Sequence, residues 1–237
     1  MIPETFYLTG AGWLGYFVYV PIALAVIAFL YWLLLRRIPI IAVQIISLIM
    51  VSIPLLTFPL WEALSISYEA EKLCKEQGGL HVYKTVETDG FIGGWGIETA
   101  AKYGFSYVEN GGGKYMGREI LKDGKVNRES ITEYKSRYHV GGGAGEKINS
   151  HITRLRSASV KDRETAEIIG ELIIFQIYPS YFDLIMHIPF LASPTPWICG
   201  NEAPEKERYY DKFNKRYRYT FSDLIKATLK PRNKDEG

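Results

Sequence analysis

Between residues 14 and 60 the chain has no acidic residue, no lysine and no histidine, and its only charges there are Arg36 and Arg37. The arginine pair divides the stretch into two uncharged runs, 14–35 and 38–60. Each matches the roughly 20 helical residues that cross a ~30 Å hydrocarbon core. Soluble core helices rarely run so long without a polar face. The same lack of ionisable groups argues against a channel or pump, whose pathways need them. No basic segment precedes the first run, and the run is too long for a signal-peptide core, so cleavage is not expected.

Other shortages bound the chemistry. There are only two cysteines, Cys74 and Cys199, with no Cys-x-x-Cys motif and no histidine next to either. The four histidines, His81, His139, His151 and His187, lack metal-ligand spacing; His139 and His151 could meet across a glycine-rich turn, but without a third ligand. Neither Gly-x-Ser-x-Gly nor Ser-x-x-Lys occurs. The glycine runs at 111–114 and 141–145 fit neither a phosphate loop nor a dinucleotide fingerprint, and they read as turns. No catalytic residue, metal or cofactor is expected, and the reading leans away from an enzyme. A formal charge of +2 gives no general attraction to nucleic acid.

What is present describes an anchored domain. Two helices joined only by Arg36-Arg37 and Ile38-Pro39 must be antiparallel neighbours. Basic short loops favour the cytoplasm, so both outer ends, and residues 62–237 with them, are expected outside it. The reverse orientation stays open, since Lys72 and Lys75 follow the second run. In an oxidising compartment Cys74 and Cys199 can pair; the alternative is two buried thiols. Pro21, Pro54 and Pro59 lie inside the runs, where membrane helices tolerate them.

Beyond the hairpin (1–61), residues 62–79 read as a helical stalk ended by Gly78-Gly79, and 80–237 as a soluble domain. Aromatic residues reach 14%, which suits strands. Strands are expected at 80–88, 105–109, 114–122, from 125 to a break near Arg128, and at 131–140, 147–160 and 165–178, with Asp123-Gly124 as a tight hairpin turn. Short helices are expected at 97–103 and 220–229, the second capped by Ser222. The fold class is α+β: a transmembrane hairpin followed by an antiparallel meander of about five or six strands.

Residues 168–192 are apolar enough to consider as a third span, but Glu171, Asp183, His187, Pro179 and Pro189 favour a strand followed by a short helix. In that helix Asp183 and His187 form an ordinary i, i+4 pair. Its apolar residues, Tyr181, Phe182, Leu184 and Ile185, are expected to cover the sheet; lying in the outer headgroup layer is the alternative. Two candidate binding surfaces stand out. One is Trp95, in a glycine-rich loop with Phe91 and Ile92, read as exposed. The other is the segment 206–218, six basic and two acidic residues among four aromatics, with Lys212, Lys215, Arg216 and Arg218 as its core. Outside the cytoplasm it suits anionic lipid, a cell-wall polymer or an acidic partner rather than nucleic acid.

The segments Cys74-Lys-Glu-Gln-Gly-Gly79, Val82-Tyr-Lys-Thr-Val86, Trp197-Ile-Cys199 and Leu229-Lys-Pro231 resemble bacterial membrane-anchored proteins with a periplasmic domain. The resemblance implies a bacterial inner-membrane source and no particular chemistry. The expected function is a non-enzymatic assembly protein of an envelope complex, in contact with the bilayer and with another membrane or envelope protein. The alternatives are an envelope enzyme acting on a cell-wall or lipid substrate and, further off, a cytoplasmic nucleic-acid or signalling domain.

Overall fold

A computed structural model describes residues 6–33, 39–112, 115–188, 194–202, 209–211 and 216–232. Arg36, Arg37, Lys212 and Lys215 lie outside them. The chain divides into two units. Unit 1 comprises Met1–Leu73, Ile148–Thr153 and Gln176–Trp197; unit 2 comprises Cys74–Lys147, Arg154–Phe175 and Ile198–Gly237.

Unit 1 is built on α1 (Gly10–Leu33) and α2 (Ile41–Gln77), both long and apolar enough to cross a membrane. They run antiparallel: Tyr16 donates its hydroxyl to the carbonyl of Leu56 at 3.3 Å, and Tyr19 to that of Leu55 at 2.7 Å. Pro59 explains the second bond. A helical carbonyl is normally satisfied by the N–H four residues on, and proline has none, so the carbonyl of Leu55 needs another donor. Tyr19 supplies it. Most large apolar side chains of α1 and α2 point outward, Phe58 being 75% exposed.

Unit 2 holds the main sheet. Its strands are β1 (Gly79–Val82), β3 (Gly90–Ile92), β4 (Tyr107–Gly112), β5 (Tyr115–Lys122), β6 (Lys125–Ser130), β7 (Tyr138–Gly141), β8 (Gly145–Lys147), β9 (Ile152–Asp162), β10 (Ile168–Ile177) and β11 (Trp197–Cys199). They run in the order β1-β10-β9-β7-β3-β4-β5-β6, with β11 on β10 and β8 on β9. A parallel pair forms between β2 (Val86–Thr88) and β14 (Leu229–Pro231), and an antiparallel pair between β12 (Tyr209–Asp211) and β13 (Arg216–Arg218). The expected α+β class holds, with two apolar N-terminal helices and a mostly antiparallel sheet.

The meander of five or six strands does not hold: among the described residues the main sheet has ten. The difference centres on β3, three residues read from sequence as a glycine-rich loop. It is too short to show alternation, yet it is buried and pairs parallel to both β4 and β7. The crossover to β4 runs through α3 (Ile97–Lys102). Consequently Phe91, Ile92 and Trp95 are buried rather than exposed, with Phe91 and Trp95 in the core beside Phe105, Val108, Val160, Leu172 and Ile225. The strand expected over 131–140 is only β7, because the backbone N–H groups of Lys135 and Ser136 bond to the Glu109 carboxylate instead of a ladder. The expected strand 80–88 breaks into β1 and β2, and β6 continues through Arg128 to Ser130.

Asp123-Gly124 does turn β5 into β6, both residues having positive φ as a tight two-residue hairpin requires. The late helix is α5 (Phe221–Thr228), and its cap is Thr220 rather than Ser222. Thr220 and Asp223 form a reciprocal capping box, leaving the Ser222 hydroxyl to accept the Trp95 indole N–H at 3.0 Å. Residues 168–188 form β10 followed by the short helix α4 (Tyr181–His187), not a third span.

Candidate functional site

The polar groups of unit 1 converge where α4 meets α1. Thr9 precedes the first residue of α1, and its hydroxyl accepts the Gly12 N–H at 3.1 Å, an N-cap bond. In a full capping box the third helical residue would return a carboxylate to the cap's own N–H. That residue is Gly12, which has no side chain. Asp183 of α4 supplies the carboxylate instead, accepting the Thr9 N–H at 2.8 Å and the Thr9 hydroxyl in a short bond. A Cβ on Gly12 would lie 2.6 Å from Asp183 Oδ1, so the glycine is what lets α4 approach. The first turn of α1 has no acidic residue of its own, and Asp183 places negative charge at that positive helix end. One turn on, a Cβ on Gly15 would meet Met186 Cγ at 2.3 Å. The capping box is therefore completed from another helix.

Asp183 is fully buried, and His187 Nδ1 stands 3.5 Å from its Oδ1 and 2.9 Å from its carbonyl. The i, i+4 pair expected from sequence thus exists as part of a wider network. Ser180 caps α4 by accepting the Asp183 N–H at 3.2 Å. Glu62 of α2 accepts the N–H of Tyr181 at 2.8 Å and lies 3.2 Å from His151 Nε2. The other ring nitrogen, Nδ1, is 3.0 Å from the Pro179 carbonyl. Both ring nitrogens of His151 therefore stand within hydrogen-bonding reach of oxygen atoms. Asn149 fixes the approach of His151, accepting its N–H at 2.8 Å while donating to Glu69 at 2.9 Å. A cavity of about 340 Å³ opens here, lined by Ser150, His151, Tyr178, Pro179, Tyr181 and Leu184.

In unit 2 the charged groups pair within the sheet. Burial alone would raise the Glu109 carboxyl, but the Ser136 and Lys135 N–H groups and Arg118 outweigh it and hold it below the usual carboxylate range. Glu171 behaves alike: burial opposes ionisation, and the Tyr83 hydroxyl with Arg156 and Arg154 overcomes it. Asp162 is lowered to about 2, first by its bonds from Arg137. These carboxylates have their lone pairs occupied by structural donors.

Cys74 and Cys199 come together in unit 2, their Cα atoms 5.8 Å apart and their sulfurs in bonding contact. Gly78 and Gly200 are packed against each other beside them; a Cβ on Gly78 would lie 2.5 Å from the Gly200 Cα. Trp95 is a core residue with its indole N–H engaged, not a surface group. Of the basic segment, Arg216 and Arg218 lie on β13, with Tyr210 opposite Tyr217 in register and the backbone of Arg218 in an isolated antiparallel bridge with that of Glu202. The expected sites are thus not gathered into one place. The cluster that does form, Thr9, Glu62, His151 and Asp183, draws on four distant stretches of chain. Asp183 carried a sequence signal in its spacing to His187; His151 stood out only for a possible approach to His139, whereas its ring nitrogens are engaged with Glu62 and the Pro179 carbonyl. Compared with family models, curated proteins and solved structures, the chain finds no match in any of the three.

Proposed function

We propose that this is a membrane-anchored protein whose α1–α2 pair fixes a β-rich domain at a bacterial envelope membrane, where the domain serves in assembly with another membrane or envelope protein. One observation carries the anchor: α1 and α2 are long and free of charge through their apolar stretches, and their large apolar side chains face outward. In water such a surface is unfavourable at roughly 25 cal/mol for each Å² of apolar area; in lipid tails it carries no such cost. The scheme is a hairpin over residues 1–61, a helical stalk over 62–79 and a domain from residue 80, with Arg36-Arg37 on the cytoplasmic side and the domain in the periplasm. The approach of Cys74 to Cys199 supports that side, because a disulfide persists in an oxidising compartment. The engagement of Glu109, Glu171 and Asp162 in structural ion pairs favours a binding role over catalysis for the domain.

The test is alkaline carbonate extraction of membranes with thiol labelling of intact cells. The expected outcome is retention in the pellet, with Cys74 and Cys199 unreactive until reductant is added. Release into the supernatant would refute the anchor; free reactivity of both thiols would refute the periplasmic placement. A second reading, an envelope enzyme on a lipid or cell-wall substrate, is favoured by the cavity at His151, where a histidine, a serine and two tyrosines converge. Its mark would be turnover by purified protein that His151→Ala abolishes without changing the melting temperature.

A further inference from the structure

Helix α4 has its polarity inside out. Asp183, fully buried, and His187 lie on the side that meets α1, while the opposite side carries Tyr181, Leu184 and Ile185, with Ile188 directly following. At 3.6 residues per turn these four fall within an arc of about 100°. They are 58%, 46%, 55% and 66% exposed. Of the four residues expected to cover the sheet, Tyr181, Leu184 and Ile185 are exposed, while Phe182 packs on Tyr19 of α1. A surface helix in water turns its apolar stripe inward and its charges outward. A helix in lipid does the reverse, since ionisable residues there face the protein interior and pair with one another or with backbone.

The partner of α4 matters as much as its polarity. It packs against the N-terminal turns of α1, with Asp183 at Gly12, Met186 at Gly15 and the Phe182 ring 6.3 Å from Tyr19. Gly12 to Tyr19 is about 10 Å of helix at 1.5 Å per residue. On the same α1 turns Leu14, Val18 and Ile22 are also exposed, and they line one apolar groove together with Phe182 and Met186 of α4. A solvent that suits one must suit the other.

From this we infer that α4 is a shallow membrane-embedded helix, its Tyr181–Leu184–Ile185–Ile188 face in contact with lipid acyl chains beside the N-terminal turns of α1. The inference rests on the anchor reading and extends it. The protein then meets the bilayer through three helices rather than two, and α4 holds the capped end of α1 at a fixed depth. Burial of Asp183 against Thr9 makes this compatible with lipid, because the one carboxylate of α4 has its oxygens bonded.

The full chain, with Cys74 and Cys199 left intact, is to be reconstituted into phosphatidylcholine nanodiscs with and without brominated acyl chains. A bimane fluorophore is placed at one introduced cysteine at a time: Ile185→Cys or Leu184→Cys on α4, Phe17→Cys on α1, and Val126→Cys on β6 of unit 2. Quenching by brominated chains at Ile185 and Leu184 comparable to that at Phe17, with none at Val126, is the expected result. Quenching at Phe17 without quenching at Ile185 and Leu184 would overturn the lipid contact while leaving the anchor standing. No quenching at Phe17 would overturn the anchor itself, and the inference with it. If α4 shows no quenching and the unlabelled Ile185→Cys variant forms an intermolecular disulfide when an oxidant (copper phenanthroline) is added, the lipid contact is overturned and the face belongs to a second copy of the chain. The Leu184 variant guards against local misfolding at Ile185, because both positions are exposed and neither supports the Asp183 network.

Discussion

The two units solve opposite solvation problems with the same twenty side chains. Unit 2 puts its apolar residues inside: Phe91, Phe105, Val160, Leu172 and Ile225 form a closed core, and its charges pair around it. Unit 1 turns most large apolar side chains of α1 and α2 outward, and between its helices Asp183, Thr9 and Tyr19 satisfy a helix end and a proline-freed carbonyl. Hydrophobic burial organises the first. In the second, if the helices lie in lipid as proposed, backbone polar groups must be satisfied internally. On the anchor reading proposed above, the outward apolar residues of unit 1 are no failure of packing but a match to a different solvent.

The largest test of the contrast is the cysteine pair. The bonded residues lie 125 apart in sequence, and a loop of that size contributes about 4–5 kcal/mol in the chain-entropy model. Replacing both by Ala should lower the guanidinium midpoint of unit 2 in detergent-solubilised protein by a corresponding amount. It should leave helical content in the detergent-embedded α1–α2 pair unchanged. An unaltered midpoint would show that no bond forms in solution.

Next come two identical truncations. Phe91→Ala, in the closed core, should cost about 3–5 kcal/mol. Phe58→Ala, on the outward face of α2, leaves no cavity and should barely move stability measured in a mild detergent. Equal losses would erase the distinction between the units.

Asp183→Ala should cost about 1–3 kcal/mol, the range for leaving a buried donor without its partner, here the Thr9 N–H. Gly12→Ala should destabilise by collision with the same carboxylate. In a double-mutant cycle read by thermal scanning, the two changes should be markedly less than additive, since removing the carboxylate also removes the collision. Smaller still is Tyr19→Phe, worth roughly 0.6–1.7 kcal/mol for a hydrogen bond between membrane helices.

Unit 2 should weaken in acid. Asp162, Glu109 and Glu171 titrate lower in the fold than in the open chain, so the unfolded state binds more protons as acid is added. Their contribution is complete above the unfolded values, 3.8 for Asp and 4.5 for Glu, and is lost as pH falls through the folded ones, about 2 for Asp162. His139 acts in the same direction from an ordinary value of 6.5, because burial and then Arg163 and Lys161 disfavour its charged form. Denaturation midpoints for unit 2 should therefore decline gently below about 6.5 and steeply below about 4. A rise in stability on acidification would contradict these assignments.

Much of unit 1 was legible because its signals are local: long uncharged runs, a glycine pair that ends α2 after Gln77, prolines inside helices. The hairpin turn at Asp123-Gly124 was legible for the same reason. β3 was not, since three residues with a glycine cannot show a period, and its place in the sheet depends on β4 and β7. Trp95 was misread as exposed because a glycine-rich loop and a buried short strand look alike in one dimension. Of the candidate site, Asp183 and His187 were seen as a helix pair, but nothing in the sequence tied either to Thr9, 174 residues away.

The sequence alone determined that this chain carries two helices fit for a bilayer and a mixed α+β remainder, because chain-local hydropathy and turn chemistry need no partner to act. Only the tertiary structure decided that Tyr19 serves the carbonyl Pro59 leaves open, that Asp183 completes the cap of α1, and that α4 turns its apolar face outward. Those are pairings of groups far apart in the chain, and their energies exist only once the fold has brought them within bonding distance.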